Sequence, residues 1–147
     1  MQTTLILLKP DTIERGLIGQ VISRIEAKWL KISWMKMMQL NDEIINEHYD
    51  FLMDKPFFPA MRNYMKRTPV IALAVSWKEA VKVVRALTWA TNPQDALPWS
   101  IRWDFGLTID ANIIHASDSP ETAEKELKRF FAWKDIFDYK RLLDELL

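Results

Sequence analysis

One of the two histidines in the chain closes an apolar run. In "NIIHASDSPETAEKEL", Asn112 to Leu127, His115 is followed by two hydroxyls, a carboxylate and then a helical pattern. An imidazole at a strand end has three uses. It can be structural, bonded to a neighbouring carboxylate. It can ligate a metal, but His48, the other histidine, lies in a separate segment and no H-E-x-x-H spacing exists. It can act as nucleophile or general base, because an unperturbed pKa of ~6.5 leaves one ring nitrogen free near neutral pH. A helix starting just after His115 adds partial positive charge and free N–H groups, which suit an incoming anion. Glu126 lies about two turns into that helix, available to orient the ring if the helix folds back over the strand. The residues alone leave the three readings open.

The elements that must position such a site are legible. Thr3–Leu8 (TTLILL), closed by Lys9-Pro10-Asp11, reads as a buried strand because it lacks alternation and is too short for a helix. From Leu17 to Trp29, apolar residues at 17, 18, 21, 22, 25 and 29 fall at helical spacing. Lys31–Leu40 reads as a second strand, and Asn41 can N-cap a helix over Asp42–Met53. Pro56 and Pro59 break the chain before a helical piece that runs to about Lys66. Pro69–Trp77 reads as a buried strand, Lys78–Leu87 as an amphipathic helix, Thr91–Gly106 as a loop-rich segment and Asn112–His115 as a fourth strand. The last helix has Ser119 as N-cap, Pro120 at its first position and Glu121 in its first turn. Ala123, Leu127, Phe130 and Phe131 make its buried stripe, with Glu121–Lys125 and Glu124–Lys128 as i,i+4 pairs on the wet side. Four strands with interleaved helices predict an α+β fold, a ferredoxin-like βαββαβ sandwich with a four-stranded antiparallel sheet covered by helices.

Composition bounds what such a fold can do. The 147 residues are 49% hydrophobic and 27% charged, which predicts one globular domain over residues 1–147. Lys+Arg and Asp+Glu both number 20, so no whole-protein charge favours nucleic acid or an anionic membrane, and any anion site must be a local convergence of bases. The absence of cysteine excludes disulfides and thiolate metal sites. No run approaches the ~20 apolar residues of a membrane helix. "MQTTLILLKPD" has neither a basic leader nor a long apolar core, so the expected location is the cytoplasm.

"LLKPD", "RGLIG", "HYDFLMDKPFF", "TPVIALAV", "TNPQDALPWSIRWDFG" and "NIIHASDSPETAEKE" resemble, in order and spacing, the nucleoside diphosphate kinase family. The likeness runs from about residue 3 to residue 131, and N-x-x-H-x-S-D-S is its most specific element. The resemblance implies transfer of the terminal phosphate of a nucleoside triphosphate to a nucleoside diphosphate, by a ping-pong route through a phosphohistidine on His115. It implies that Lys9, Arg85, Arg102 and Thr91 contact phosphate, that Asn112 bonds the sugar and that Phe57 stacks on the base, with Phe58 a core residue. Tyr49 would lie near the nucleophile, and Ser117 and Glu126 would position it. Mg²⁺ would be bound mainly through the nucleotide phosphates, with no dedicated protein ligand. The family also implies a homo-oligomer, usually a hexamer built from dimers, with a tetramer or dimer as alternatives and the Thr91–Arg102 loop in subunit contacts.

The chain departs from that pattern in one direction. It has three glycines and seven tryptophans. Trp29, Trp77, Trp89, Trp99 and Trp103 stand where the family pattern has glycine, Trp34 where it has a small residue, and Ala60, Thr68 and Ala116 at further glycine positions. The pattern suggests an engineered or reconstructed, glycine-depleted member. Trp29, Trp34 and Trp77 should then act on stability, and Trp89, Trp99 and Trp103 on the phosphate pocket or a subunit contact. An impaired member would be a nucleotide-binding module without turnover, or an inactive scaffold of the same fold.

Overall fold

A computed structural model describes residues 1–146. Its elements are β1 (Gln2–Leu8), α1 (Pro10–Glu14), α2 (Ile18–Ala27), β2 (Lys31–Met38), α3 (Asp42–His48), α4 (Phe58–Met65), β3 (Val70–Trp77), α5 (Ala80–Thr88), α6 (Ile101–Phe105), β4 (Ile114–Ala116) and α7 (Pro120–Phe130), with short 3-10 turns between. The strands form one antiparallel sheet in the order β2-β3-β1-β4. This is the ferredoxin-like arrangement that the strand and helix pattern predicts.

The sheet is covered on both faces, which explains why β1 and β3 carry no polar alternation. Leu5 and Leu7 pack on one face with Ile45, Phe58, Met65, Leu127 and Phe130. Ile6 and Leu8 pack on the other with Val21, Ile25, Val84 and Ile101. Each of these fully buried side chains contributes roughly 1.5–3 kcal/mol. β2 lies at a sheet edge and is bulged between Ile32 and Trp34. The C-terminal segment lies against it: Phe137 N–H donates to the Ser33 carbonyl (3.0 Å) and Tyr139 O–H to that of Ile32 (2.8 Å). Among the described residues, no helix is long and apolar enough to cross a membrane.

Local signals act as chemistry requires. The Asn41 side chain accepts from Ile44 N–H and the Ser119 hydroxyl from Thr122 N–H. The stripe Ala123, Leu127, Phe130 and Phe131 is buried. Glu124 pairs with Lys128 at 2.6 Å, whereas the Glu121–Lys125 pair does not close among the described contacts. Several boundaries differ from expectation. The helix expected over Asp42–Met53 ends at His48, and a 3-10 turn over Asp50–Leu52 follows it. Pro10 starts a short helix, since its missing N–H costs nothing at the first helical position. The segment read as loop contains α6, whose cap is Ser100 accepting from Trp103 N–H. β4 begins at Ile114, because Ile113 has φ 74 and cannot extend the strand.

Two of the three glycines have clear reasons: Gly16 has φ 66, and a Cβ at Gly106 would meet Pro93 Cγ at 2.5 Å. Trp29, Trp89 and Trp99 share Gly16's left-handed φ, at 65, 61 and 74. Trp29 stands just past the α2 C-terminus, where glycine is preferred, and is 54% exposed. Trp29→Gly is therefore expected to stabilise the protein by about 1–2 kcal/mol. A urea midpoint that stays put or falls would contradict this. Trp34 has ordinary backbone and packs edge-on against Phe131, with ring centroids 4.1 Å apart.

Candidate active site

His115 lies in β4 opposite Leu7 of β1, on the sheet face that α7 covers. The apolar stripe of α7 turns inward, and Glu126, next to Leu127 on that stripe, is carried in with it and left 5% exposed. Both Glu126 carboxylate oxygens lie 3.1 Å from His115 Nε2. The Ser117 hydroxyl donates to Oε2 at 2.5 Å. Burial works to raise the Glu126 pKa, but His115, His48 and Ser117 outweigh it and bring the carboxyl below its ordinary value. The carboxylate therefore stays ionised and fixes the ring through Nε2, which leaves Nδ1 for chemistry.

Cationic groups gather beside the ring. Lys9 follows β1 as the N-cap of α1, and its ammonium donates to Asn112 Oδ1 at 2.7 Å. Burial, then Arg102, pushes the Lys9 pKa down to about 8, against the pull of Asp11 and Asp110. Buried Arg102 spans two elements, donating to the Trp89 carbonyl at the end of α5 (2.8 Å) and to the Ile114 carbonyl (2.6 Å). Its Nε–H has no partner among the described residues. Burial, followed by the charge of Arg85, lowers its pKa to about 10, so it remains a cation at neutral pH. Arg85 is exposed on α5. Three bases thus converge locally in a chain of zero net charge.

Asn112 is buried and spends its amide N–H groups on the Thr91 and Ile109 carbonyls, both at 2.9 Å, so its Oδ1 is aimed at Lys9. Thr91 is exposed. Phe57, just before α4, is 51% exposed, whereas Phe58 is buried in the core, in line with the division that the resemblance implies. Tyr49 is buried with its ring centroid 6.2 Å from that of His115. Burial, with Glu126 adding to it, raises the phenol pKa and keeps it protonated. The structure therefore gathers His115, Glu126, Ser117 and Tyr49 in one cluster, with Lys9, Asn112 and Arg102 beside it and Arg85, Thr91 and Phe57 on exposed ground.

Sequence reading missed a second set of residues. Ile113 is a β-branched residue at φ 74, a conformation that needs support. Its N–H donates to Asp11 Oδ2 (3.0 Å), and its carbonyl accepts from the Thr12 hydroxyl (2.6 Å) and Lys9 N–H (2.8 Å). This clamp, two residues before His115, joins α1 to β4. The "KPDT" stretch gave its position but not its use, because a lone carboxylate after proline is usually a cap. His48 was also missed: it sits in a helix at no metal-ligand spacing, yet its ring centroid is 4.6 Å from that of His115. His48, His115 and Glu126 together bring potential metal-ligating atoms within 4.8 Å of one another.

A family model described as "Nucleoside diphosphate kinase" matches residues 2–136. Among curated proteins, the chain is similar to the nucleoside diphosphate kinase of Parabacteroides distasonis, 49% identical over 140 residues, covering 95% of this chain and 92% of that protein. It is similar to that of Pyrococcus horikoshii, 46% identical over 146 residues, covering 97% and 93%. Among solved structures, it superposes on a halophilic nucleoside diphosphate kinase from Halobacterium salinarum in complex with CDP, with a TM-score of 0.95, 36% identity and coverage of 99% and 97%. On the enzyme from Encephalitozoon cuniculi the TM-score is 0.94 at 38% identity, with 99% of each chain covered.

Proposed function

Because the chain belongs to the nucleoside diphosphate kinase family, we propose that it moves the terminal phosphate of a nucleoside triphosphate to a nucleoside diphosphate in two half-reactions, with His115 as carrier. The observation that carries this reading is the part-buried Ser117–Glu126–His115 relay, which engages Nε2 and leaves Nδ1 without a partner among the described residues. In the first half-reaction the Nδ1 lone pair bonds to the terminal phosphorus as the bond to the bridging oxygen breaks, and the diphosphate leaves with that electron pair. The phosphohistidine then gives its phosphoryl group to a terminal oxygen of the second diphosphate by the reverse path. Positive charge grows on the ring as the N–P bond forms, and the ionised Glu126 stabilises it through Nε2–H. The loose transition state asks chiefly for alignment and charge compensation.

In this reading Lys9, Arg85 and Arg102 hold phosphate oxygens, Arg102 through its unpaired Nε–H, and the Thr91 hydroxyl adds a donor. Asn112 offers the remaining lone pair of Oδ1 to a sugar hydroxyl while it steers Lys9. The half-exposed Phe57 stacks on the base, which tolerates any base. Tyr49 closes the space beside the ring. Two imidazoles and one carboxylate suit a borderline metal better than Mg²⁺, and His115 Nε2 is already engaged. The residues therefore fit Mg²⁺ held by nucleotide phosphates, where it would neutralise charge on the oxygens. The working unit is a homo-oligomer: edge strand β2 exposes Met35 and Met37. Sedimentation of a monomer at working concentration would contradict that part.

The test is GTP formation from ATP and GDP with Mg²⁺. GTP should form, stop when a chelator removes Mg²⁺, and resume when Mg²⁺ is restored. A folded protein that binds GDP but makes no GTP would instead be the non-catalytic module. The state of Lys9 adds a pH signature. Its charge is present below about pH 8 and is lost as pH rises through that value. Nucleotide KM is therefore expected to rise several-fold across that range, and Lys9→Arg should abolish the rise. A flat KM in the unaltered protein would remove Lys9 from phosphate binding.

A further inference from the structure

His48 is a buried group that the reaction as described does not use. It ends α3 at 5% exposure, with its ring edge-on to His115 (4.6 Å between centroids), Tyr49 (4.6 Å) and Phe130 (5.2 Å). Arg129 Nη1 lies 3.0 Å from its Nδ1. A guanidinium only donates, so Nδ1 accepts, and the proton of the neutral ring sits on Nε2. That N–H has no hydrogen-bond partner among the described residues, and Glu126 Oε1 lies 3.9 Å from it. Burial, together with His115, holds the His48 pKa far below its ordinary value, against the pull of Glu126, so the ring stays neutral. The carboxylate that orients His115 is thus held by Ser117 on one oxygen and faces an otherwise idle donor on the other.

Building on the reaction above, we propose that His48 is a positioning residue for phosphoryl transfer: oriented by Arg129, it walls His115 into one ring plane and keeps the Glu126 carboxylate seated on Nε2. It acts through Glu126 and His115 rather than on nucleotide, so its loss should fall on kcat and spare KM. His48→Phe keeps ring volume and removes both nitrogen functions. His48→Gln keeps an acceptor for Arg129 and an N–H for Glu126. The phenylalanine variant is expected to lose at least about ten-fold in kcat, as removal of outer-shell partners does at other sites, with KM for both nucleotides within about two-fold. Glutamine should restore most of the loss, and single-turnover phosphoenzyme formation should slow in the same ratio. Arg129→Met, which frees Nδ1 and leaves the ring in place, should show the same kcat loss and covers the case in which the phenylalanine variant does not fold. Unchanged kcat in Arg129→Met, a loss confined to KM, or equal loss in the phenylalanine and glutamine variants would overturn the role. No phosphoenzyme from the unaltered protein would overturn the reaction itself, a separate outcome.

Trp29, Trp89 and Trp99 stand on backbone that L-residues avoid, and Trp89 (φ 61, ψ −152) occupies a region nearly reserved for glycine. These residues are 54%, 41% and 84% exposed, so no full burial offsets the strain. Deliberate replacement of glycine there would favour asparagine or aspartate, which tolerate left-handed backbone. Tryptophan and glycine do share a codon assignment: UGA, a stop in the standard code, is decoded as tryptophan in some genetic systems and as glycine in others. We infer that positions 29, 89 and 99 are glycine in the protein as its source cell makes it, with UGA in the gene. Gene sequencing and peptide mass spectrometry of the protein from source cells decide this. UGA codons and glycine-bearing peptides are expected; UGG codons, or tryptophan in those peptides, would overturn it.

Discussion

His115→Ala is expected to lower kcat by at least on the order of 10⁴-fold while the protein still folds and binds nucleotide. The size follows from the role. Losing a covalent carrier removes both half-reactions at once, and residual rate then comes only from binding and charge. Binding should survive, because Lys9, Arg102, Asn112 and Phe57 hang on other elements and do not hydrogen-bond to the imidazole. The fold should survive, because β4 is pinned from both sides by the β1 ladder and the Ile113 clamp. Steady-state transfer and GDP titration on the same preparation check the two halves. Transfer within about ten-fold of the unaltered protein would remove His115 from the chemistry.

Glu126→Ala is expected to cost about 10²–10³-fold in kcat, as loss of one group that stabilises developing charge does, with little change in KM. The carboxylate touches no nucleotide in this reading; it fixes the ring and stabilises its charge. Its removal also leaves the Ser117 hydroxyl and His115 Nε2 without their shared partner in a buried place, which should destabilise the fold by about 1–3 kcal/mol. The sign with pH is fixed by the lowered carboxyl pKa. The stabilising contribution is full above the ordinary carboxylate pKa and is lost as pH falls through the lower folded value. The difference in urea midpoint between Glu126→Ala and the unaltered protein should therefore be large near neutrality and shrink in acid. A variant with full kcat, or a midpoint difference that grows in acid, would contradict this.

Much of this was legible because local chemistry and tertiary demand agree. Ser119-Pro120 announces α7, whose stripe must turn inward, so Glu126 beside Leu127 is carried in with it. The family resemblance, not local chemistry, divides Phe57 from Phe58, and the structure exposes one and buries the other. What escaped depends on long-range geometry. His48 and His115 are far apart in sequence, and only the packing of α3 and α7 on one sheet face brings them edge to edge. The left-handed Ile113 is invisible in an apolar "NIIH" run, because its support comes from Asp11 and Thr12 about a hundred residues upstream. α6 hid behind the prolines and polar residues before it. Its only local signal, Ser100 ahead of Ile101, is weaker than the Ser119-Pro120 pair.

A phosphate carried by His115 between two nucleotides must pass through an enzyme form that can be caught. The most direct measurement uses ATP labelled in its terminal phosphate, with Mg²⁺ and no acceptor. About one acid-labile phosphate per chain should appear on the protein, map to the peptide bearing His115, and move quantitatively to GTP when unlabelled GDP is added. Label that never appears on the protein while GTP still forms, or label on His115 that GDP cannot discharge, would contradict the claim.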